Sequence, residues 1–197
     1  MKLLLDLPEG YDRATQALVA TFAASLDDQL RRLREEIAGL EVRHLEWQER
    51  PGRNTIGMLL THLALVEWFW FTFAPSGRSW GDDGHDELRE LIGVHDDGLP
   101  LAKDGKHPDY LAGFTLETYD DILSRARARI HDELRTWTDA SLDDTYQLQG
   151  REKTRDVSRR WTLYHVLEHF AAHFGQISLL KHLMRDAGVL AEREPQR

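Results

Sequence analysis

The pattern of apolar and polar positions along the chain predicts four long helices. Apolar residues recur at intervals of three and four over residues 11–40, 54–74, 115–139 and 162–187, which is the spacing of one buried helix face. The sequence shows no convincing alternation of period two, the mark of a half-buried strand. The pattern therefore predicts an all-α protein built as a four-helix bundle. In the first helix the predicted buried face consists of Leu18, Phe22, Leu26, Leu30, Leu33 and Ile37.

Residues that favour helix termini bound these segments. Asn54 is suited to cap the second helix, and Thr115 and Thr118 are both suited to cap the third, because short polar side chains accept hydrogen bonds from free backbone amides. Pro75 is suited to end the second helix and Gly188 the fourth. The helix boundaries are therefore predicted to lie at these residues.

The connections between the helices differ in length. Residues 75–113 form a long polar segment, rich in Gly and Asp, with at most a short helix near Glu87–Ile92. Residues 141–160 form a second polar segment, which we predict to be a loop. Connections of this length permit crossovers between helices and often carry function.

Composition limits the domain count and the partners. At 197 residues the chain is predicted to be one domain, 1–197, and 41% hydrophobic residues suffice for a packed core. A net charge of −9, with only short basic runs diluted by acids, argues against binding nucleic acid. The absence of cysteine excludes disulfides, thiolate metal ligands and a cysteine nucleophile. Since no secretory signal is recognisable, the expected compartment is the cytoplasm.

One segment is apolar enough to suggest a membrane span. Residues 55–74 read TIGMLLTHLALVEWFWFTFA and match the roughly 20 residues that a span requires. His62 and Glu67, near the middle of this segment, would be costly in lipid. We therefore expect a buried core helix and no membrane contact.

Helix four contains an unusual concentration of histidine. The stretch HVLEHFAAHFGQISLLKH, residues 165–182, holds four of the chain's ten histidines. On a helical wheel His173 lies roughly 40° from the apolar face, His169 roughly 80° and His165 roughly 120°. His169 and His173 are neighbours that can reach one ion, whereas His165 and His173 are separated by about 12 Å of helix rise. The spacing therefore favours the inner pair as metal ligands.

A metal site on helix four needs a further ligand from another helix. His62 is the candidate, because it lies in the middle of the most apolar helix, where an unpaired imidazole is costly. The alternative is a hydrogen-bonded core histidine, the commoner role of a single buried histidine. Glu67 is a candidate catalytic base or a carboxylate that orients a ligand histidine, and equally a partner for a buried arginine.

Helices two and four also resemble a known family. The runs NTIGMLLTHLALVEWFW and TLYHVLEHFAAHFGQISLL are similar to the DinB/YfiT-like superfamily of bacterial metalloproteins, which includes the bacillithiol and mycothiol S-transferases. The resemblance extends to LEWQERPGRN before helix two and to the order of the four helices. The family pattern has one histidine on helix two and an H-x-x-x-H pair on helix four. These positions fall on His62, His169 and His173, followed by Phe-Gly-Gln where many members have Arg-Gly-Gln.

The resemblance implies a DinB/YfiT-like bundle with a three-histidine site for a divalent metal. Zn²⁺, Ni²⁺ and Fe²⁺ all suit imidazole ligands. In the implied reaction the metal lowers the pKa of a low-molecular-weight thiol, such as bacillithiol or mycothiol, for attack on an electrophile. The resulting hypothesis is a metal-dependent thiol S-transferase that acts in detoxification. The alternatives are a metal-binding stress-response or sensor protein without turnover and, third, a hydrolase that uses metal-bound hydroxide.

Aromatic residues on helix two suggest two further expectations. Trp68, Phe69 and Trp70 are candidates to line a cavity for an apolar electrophile, with core packing as the alternative. Helices one and two carry more apolar surface than a bundle of this size must bury, with Trp68, Phe69 and Phe71 spread around the helix. We therefore expect a homodimer that associates through bundle faces.

Overall fold

Four long helices form the framework of the protein, as the sequence pattern predicts. The computed structural model describes residues 5–78, 84–94, 96–149 and 153–191. Within these residues the main elements are four long helices and one antiparallel hairpin. In chain order the elements are α1 (Ala17–Ile37), α2 (Val42–Leu45), α3 (Ile56–Trp68), α4 (Gly84–Ile92), α5 (Leu116–Leu134), β1 (Thr145–Gln149), β2 (Thr154–Ser158) and α6 (Arg159–Asp186). A π-helical turn (Phe69–Phe73) and a 3₁₀ turn (Ala74–Ser76) extend α3.

The helix ends follow from capping side chains. Thr115 caps α5 as predicted, since its hydroxyl accepts a hydrogen bond from the amide of Thr118. The cap of α3 is Thr55, whose hydroxyl accepts from the amide of Met58, so the prediction of Asn54 is wrong by one residue. Ser158 caps α6 and starts it three residues before the predicted 162. Gly188 follows the end of α6 with a φ of 69°, a conformation that favours glycine.

The hairpin between α5 and α6 corrects the prediction that residues 141–160 are a loop. Its two strands pair from Thr145 with Ser158 to Gln149 with Thr154. Val157 is the one buried side chain among the ten residues of the two strands. The alternation in β1 is limited to the half-buried Tyr146 and Leu148, and β2 adds Val157 alone, so the pattern is too short for period-two analysis to identify two strands.

The first helix is shorter than predicted. It begins at Ala17, whereas the sequence pattern placed it over residues 11–40. Leu18, predicted to be buried, is 48% exposed in the first turn, and the buried face of α1 starts at Val19. The residues before Ala17 form a turn that is held by hydrogen bonds to Asp12. The helix and its apolar face therefore do not extend to residue 11.

The packing of the long helices explains the length of the connection after α3. Both α1 and α3 contact α5 and α6, so α1 and α3 occupy opposite corners of the bundle. Helices α3 and α5 run parallel, because Gly57 lies against Tyr119 and Glu67 against Arg127. A connection between parallel neighbours must return along the bundle. The segment between α3 and α5 makes this crossover and carries α4, which packs against α5 and α3.

The apolar segment with the length of a membrane span is a core helix of this bundle. Ile56–Ser76 has a mean hydropathy of 1.4 over its most apolar window, and 72% of that window is buried inside the fold. Leu59, Leu60, Leu63 and Trp68 are at most 1% exposed. The expectation of a buried helix therefore agrees with the packing.

Candidate metal centre

Three histidines from two helices converge between α3 and α6. His62 Nε2 lies 3.1 Å from His169 Nε2, and His173 Nε2 lies 3.1 Å from the same atom. One nitrogen of each ring falls within 4.8 Å of the others. The cluster could therefore hold a metal ion. It forms because His169 and His173 are one turn apart on α6, while α3 runs antiparallel beside them.

Two of the three rings are held by side chains on their outer edge. The Nδ1–H of His62 donates to Asp97 Oδ2 at 2.6 Å, and the Nδ1–H of His173 donates to Gln176 Oε1 at 2.9 Å. A neutral imidazole that donates from Nδ1 keeps its lone pair on Nε2. Both bonds therefore fix the tautomer and turn the Nε2 lone pairs of His62 and His173 into the cluster.

The environment of His169 and His173 favours the neutral form of both imidazoles. Burial lowers the pKa of His169 to about 3, and the neighbouring His173, His62 and His165 lower it further. Burial also lowers the pKa of His173, against a smaller opposite effect of the Gln176 hydrogen bond. Neutral imidazole is the form that coordinates metal ions, so these two rings are ligand-competent at physiological pH.

Asp97 belongs to the site and was not predicted from the sequence. Its side chain is 7% exposed, and its second oxygen accepts a hydrogen bond from the amide of Leu99. Asp97 lies on the crossover segment, which passes His62 on its way back along α3. The signal in the sequence is weak: an acidic pair, Asp96 and Asp97, inside a connection long enough to carry function.

Glu67 lies in a different cluster. It is 2% exposed, and both of its carboxylate oxygens accept hydrogen bonds from Arg127, at 2.6 and 3.2 Å. Among the described residues no hydrogen bond joins Glu67 to the three histidines. Of the roles considered for Glu67, the structure shows the pair with a buried arginine.

The remaining histidines of α6 lie outside the cluster. His165 stacks on Trp161 with ring centroids 4.6 Å apart and planes within 10°, and it meets Trp70 edge to face at 4.9 Å. His182 is exposed on the surface. The outward direction predicted for His165 agrees with this position.

The aromatic residues of α3 divide between the core and a cavity. Trp68 and Phe71 are at most 1% exposed within a single chain, and Phe69 packs against the same core. Trp70 lines a cavity next to α6. The expectation of an aromatic cavity wall therefore applies to Trp70, and core packing accounts for Trp68 and Phe69.

Comparison with known proteins agrees with this geometry. The family model for mycothiol-S-transferases matches residues 21–186, a span that includes all three histidines. A solved structure of a conserved protein from Enterococcus faecalis is similar over 84% of this chain and 95% of its own, with 16% identity and a TM-score of 0.60. A DinB-like protein from Bacillus cereus ATCC 10987 is similar over 89% and 96%, with 16% identity and a TM-score of 0.50. At this identity the two structures show the DinB-like fold alone. No curated protein matched the chain in sequence.

Proposed function

This chain belongs to the mycothiol-S-transferase family, and on that premise we propose that it is a metal-dependent thiol S-transferase of the cytoplasm. The observation that carries the proposal is the convergence of three imidazole nitrogens within 4.8 Å, two of them on rings whose Nδ1 is already bonded. Imidazole nitrogens brought this close together are a donor set that suits a divalent cation.

The donor set fits a first-row divalent cation. Two imidazole nitrogens that bind one Zn²⁺ tetrahedrally at about 2.0–2.1 Å lie roughly 3.3 Å apart. In the cluster, His169 Nε2 lies 3.1 Å from both other Nε2 atoms. Imidazole suits Zn²⁺, Ni²⁺ and Fe²⁺, and three protein ligands leave a position open, as in catalytic rather than structural sites. When bound, the cation would supply the Lewis acidity that lowers the pKa of a thiol.

The residues of the chain have distinct roles in this proposal. His62, His169 and His173 would hold the cation, while Asp97 and Gln176 orient two of these rings. The thiol of a small molecule such as mycothiol loses its proton to solvent, and its sulfur forms a bond to the electrophilic carbon. With a halogenated electrophile the carbon–halogen bond breaks and halide leaves. The proposal assigns no step to Glu67, since both of its carboxylate oxygens accept hydrogen bonds from Arg127.

The test is conjugation of monochlorobimane with mycothiol or bacillithiol by the metal-loaded protein. We expect a rate above the uncatalysed reaction, loss of that rate with chelator, and recovery when metal is returned. The His169→Ala variant should have no activity under the same conditions. If the metal-loaded protein accelerates conjugation with no physiological thiol, the transferase proposal fails and the metal-binding stress or sensor protein replaces it.

The homodimer is a separate part of the proposal. Trp68 and Phe71, which suggested surplus apolar surface, are buried within one chain. The large apolar side chains that do reach the surface include Leu18, Tyr164 and Leu179, at 48–57% exposure. Light scattering at tens of micromolar protein should report the mass of two chains, and the mass of one chain would overturn the expectation.

A further inference from the structure

A cavity of about 600 Å³ lies beside the three-histidine cluster, towards the start of α6. Its walls come from α3, α6 and the hairpin, and include Trp70, Trp161, His165, Leu148, Arg155 and Val157. His165 links the cavity to the cluster, because its ring centroid lies 5.8 Å from that of His169. An occupant of the cavity would therefore contact His165, whose ring neighbours the cluster of the proposed transferase.

Three aromatic rings form one side of this cavity. His165 stacks in parallel on Trp161, and Trp70 meets Trp161 edge to face with ring centroids 5.3 Å apart. The stack covers one face of the Trp161 indole, yet this residue remains 43% exposed. Trp161 lines the cavity with part of its indole exposed, and a flat ring that packs there would gain both stacking and burial of apolar area.

A second depression lies on the other side of the cluster along the same groove between α3 and α6. Its volume is about 330 Å³, and Glu49, Arg53, Asn54 and Gln176 give it a polar lining beside leucines. Gln176 links this depression to the cluster through its hydrogen bond to His173. The cluster thus separates an aromatic cavity from a polar depression, and two cosubstrates of different chemistry could approach it from opposite sides.

We propose that the aromatic cavity binds the electrophile of the transfer reaction and selects an uncharged planar aromatic compound that stacks on Trp161. The inference rests on the proposed function, because the transferase requires a second substrate next to the cluster. Arg155 and Asp156 both line the cavity, so its charged groups balance and favour neither anions nor cations. The polar depression is left for the hydrophilic part of the thiol. With 1-chloro-2,4-dinitrobenzene, the thiol sulfur would bond to C1, chloride would leave and the thiol proton would pass to solvent.

The first experiment measures binding without turnover. Equilibrium dialysis of the full-length, metal-loaded protein against 1,3-dinitrobenzene, the chlorine-free analogue, should show saturable binding of about one molecule per chain. Trp161→Ala should weaken binding by about tenfold or more, since the stacking of one aromatic side chain on a flat ring typically contributes about that factor to the affinity. Trp161→Phe should retain most of the affinity. The matched control is Tyr164→Ala, which removes a neighbouring α6 aromatic residue, 55% exposed, that does not line the cavity.

The second experiment measures steady-state kinetics with two electrophiles. Trp161→Ala should raise KM for 1-chloro-2,4-dinitrobenzene by about tenfold and leave KM for iodoacetamide and for the thiol within about twofold. A rise in KM for the thiol would assign the cavity to the thiol and overturn the proposal. Undiminished dinitrobenzene binding by Trp161→Ala, or no saturable binding by the wild type, would overturn it as well.

The two experiments separate this proposal from the proposed function. Saturable dinitrobenzene binding that depends on Trp161, without turnover of any thiol, would retain the cavity assignment and reject the transferase. Turnover with an unchanged KM for 1-chloro-2,4-dinitrobenzene in Trp161→Ala would retain the transferase and reject the cavity assignment. Since Trp161 is 43% exposed, we expect the Ala variant to fold, and thermal unfolding monitored by circular dichroism checks this.

Discussion

Two clusters of polar side chains lie along α3, and they differ in how their polar atoms are paired. Around Glu67, opposite charges are paired: Arg127 donates to both oxygens of Glu67, and to Asp27 at 3.0 Å. Around His62, three imidazole rings bring their Nε2 atoms together, and His169 Nε2 lies 3.1 Å from each of the other two. The first cluster pairs opposite charges, whereas the second brings together nitrogen atoms of one kind.

This difference separates a structural cluster from a candidate site. A buried polar group is costly unless it is paired, and the pair at Glu67 leaves nothing for a ligand to satisfy. The histidine cluster can gain a cation, because the Nδ1 bonds of His62 and His173 leave the Nε2 lone pairs of these two rings for coordination. Both clusters contain ionisable side chains, so it is the complementarity of the neighbouring atoms that indicates function.

The largest effect predicted from this comparison is a loss of protein stability when the ion pair at Glu67 is broken. Arg127→Ala leaves the Glu67 carboxylate buried and unpaired, and should lower the free energy of unfolding by about 3–5 kcal/mol, measured by urea denaturation. The metal stoichiometry of the folded protein should stay at the wild-type value, since no hydrogen bond joins the two clusters in the described part of the chain.

Two further variants sharpen this prediction. Arg125→Ala, on the same helix, breaks an exposed ion pair with Asp121 and should change stability by less than about 1 kcal/mol. Replacement of both Glu67 and Arg127 by Met should recover much of the loss, because no unpaired charge is then left between them. An Arg127→Ala protein as stable as the wild type, or one that has lost its metal, would contradict the separation of the two clusters.

The second prediction concerns the carboxylate that orients His62. Asp97→Asn should weaken metal affinity by about 10–100-fold, because an amide supports the Nδ1–H of His62 less well than a buried carboxylate does. Competition with a metal-sensitive chelator measures the change. The neighbouring Asp96 bonds to the amide of Gly98 and serves as the control, so Asp96→Asn should bind metal as the wild type does. Equal affinities for the two variants would remove Asp97 from the site.

The smallest predicted effect is at Gln176. Its amide oxygen forms a neutral hydrogen bond with His173 at an exposed position, and such a bond contributes about 0.5–1.5 kcal/mol. Gln176→Ala should therefore weaken metal binding by no more than about tenfold, less than Asp97→Asn in the same chelator competition. The reverse order would mean that the exposed amide, and not the buried carboxylate, controls ligand orientation.

The sequence predicts those parts of the fold that depend on regular burial. The DinB-like bundle is confirmed by the comparison of structures, because its long helices bury one face over several turns. The hairpin was missed since Val157 is its one buried side chain. The start of α1 was misplaced because residues 12–16 form a turn held by hydrogen bonds to Asp12, which apolar spacing does not reveal.

The residues of the candidate site also divide into those that the sequence predicts and those that it does not. His169 and His173 could be predicted because spacing on one helix fixes their separation, and His62 because it interrupts an apolar helix. Asp97 could not be predicted, since its place beside His62 depends on the path of a crossover segment without regular structure. Nor does the run SRARARIHDEL on α5 indicate that Arg127, rather than Arg125 or Arg129, is the buried partner of Glu67.

The most direct test of the account is the metal content of the histidine variants after dialysis, measured by plasma mass spectrometry. His62→Ala, His169→Ala and His173→Ala should each lose most of the metal that the wild type retains, because each removes one of three protein ligands. His165→Ala and His182→Ala should retain it, since these rings lie outside the cluster. If His165→Ala empties the site while His173→Ala does not, the ligand pair is His165 and His169, and the central claim is wrong.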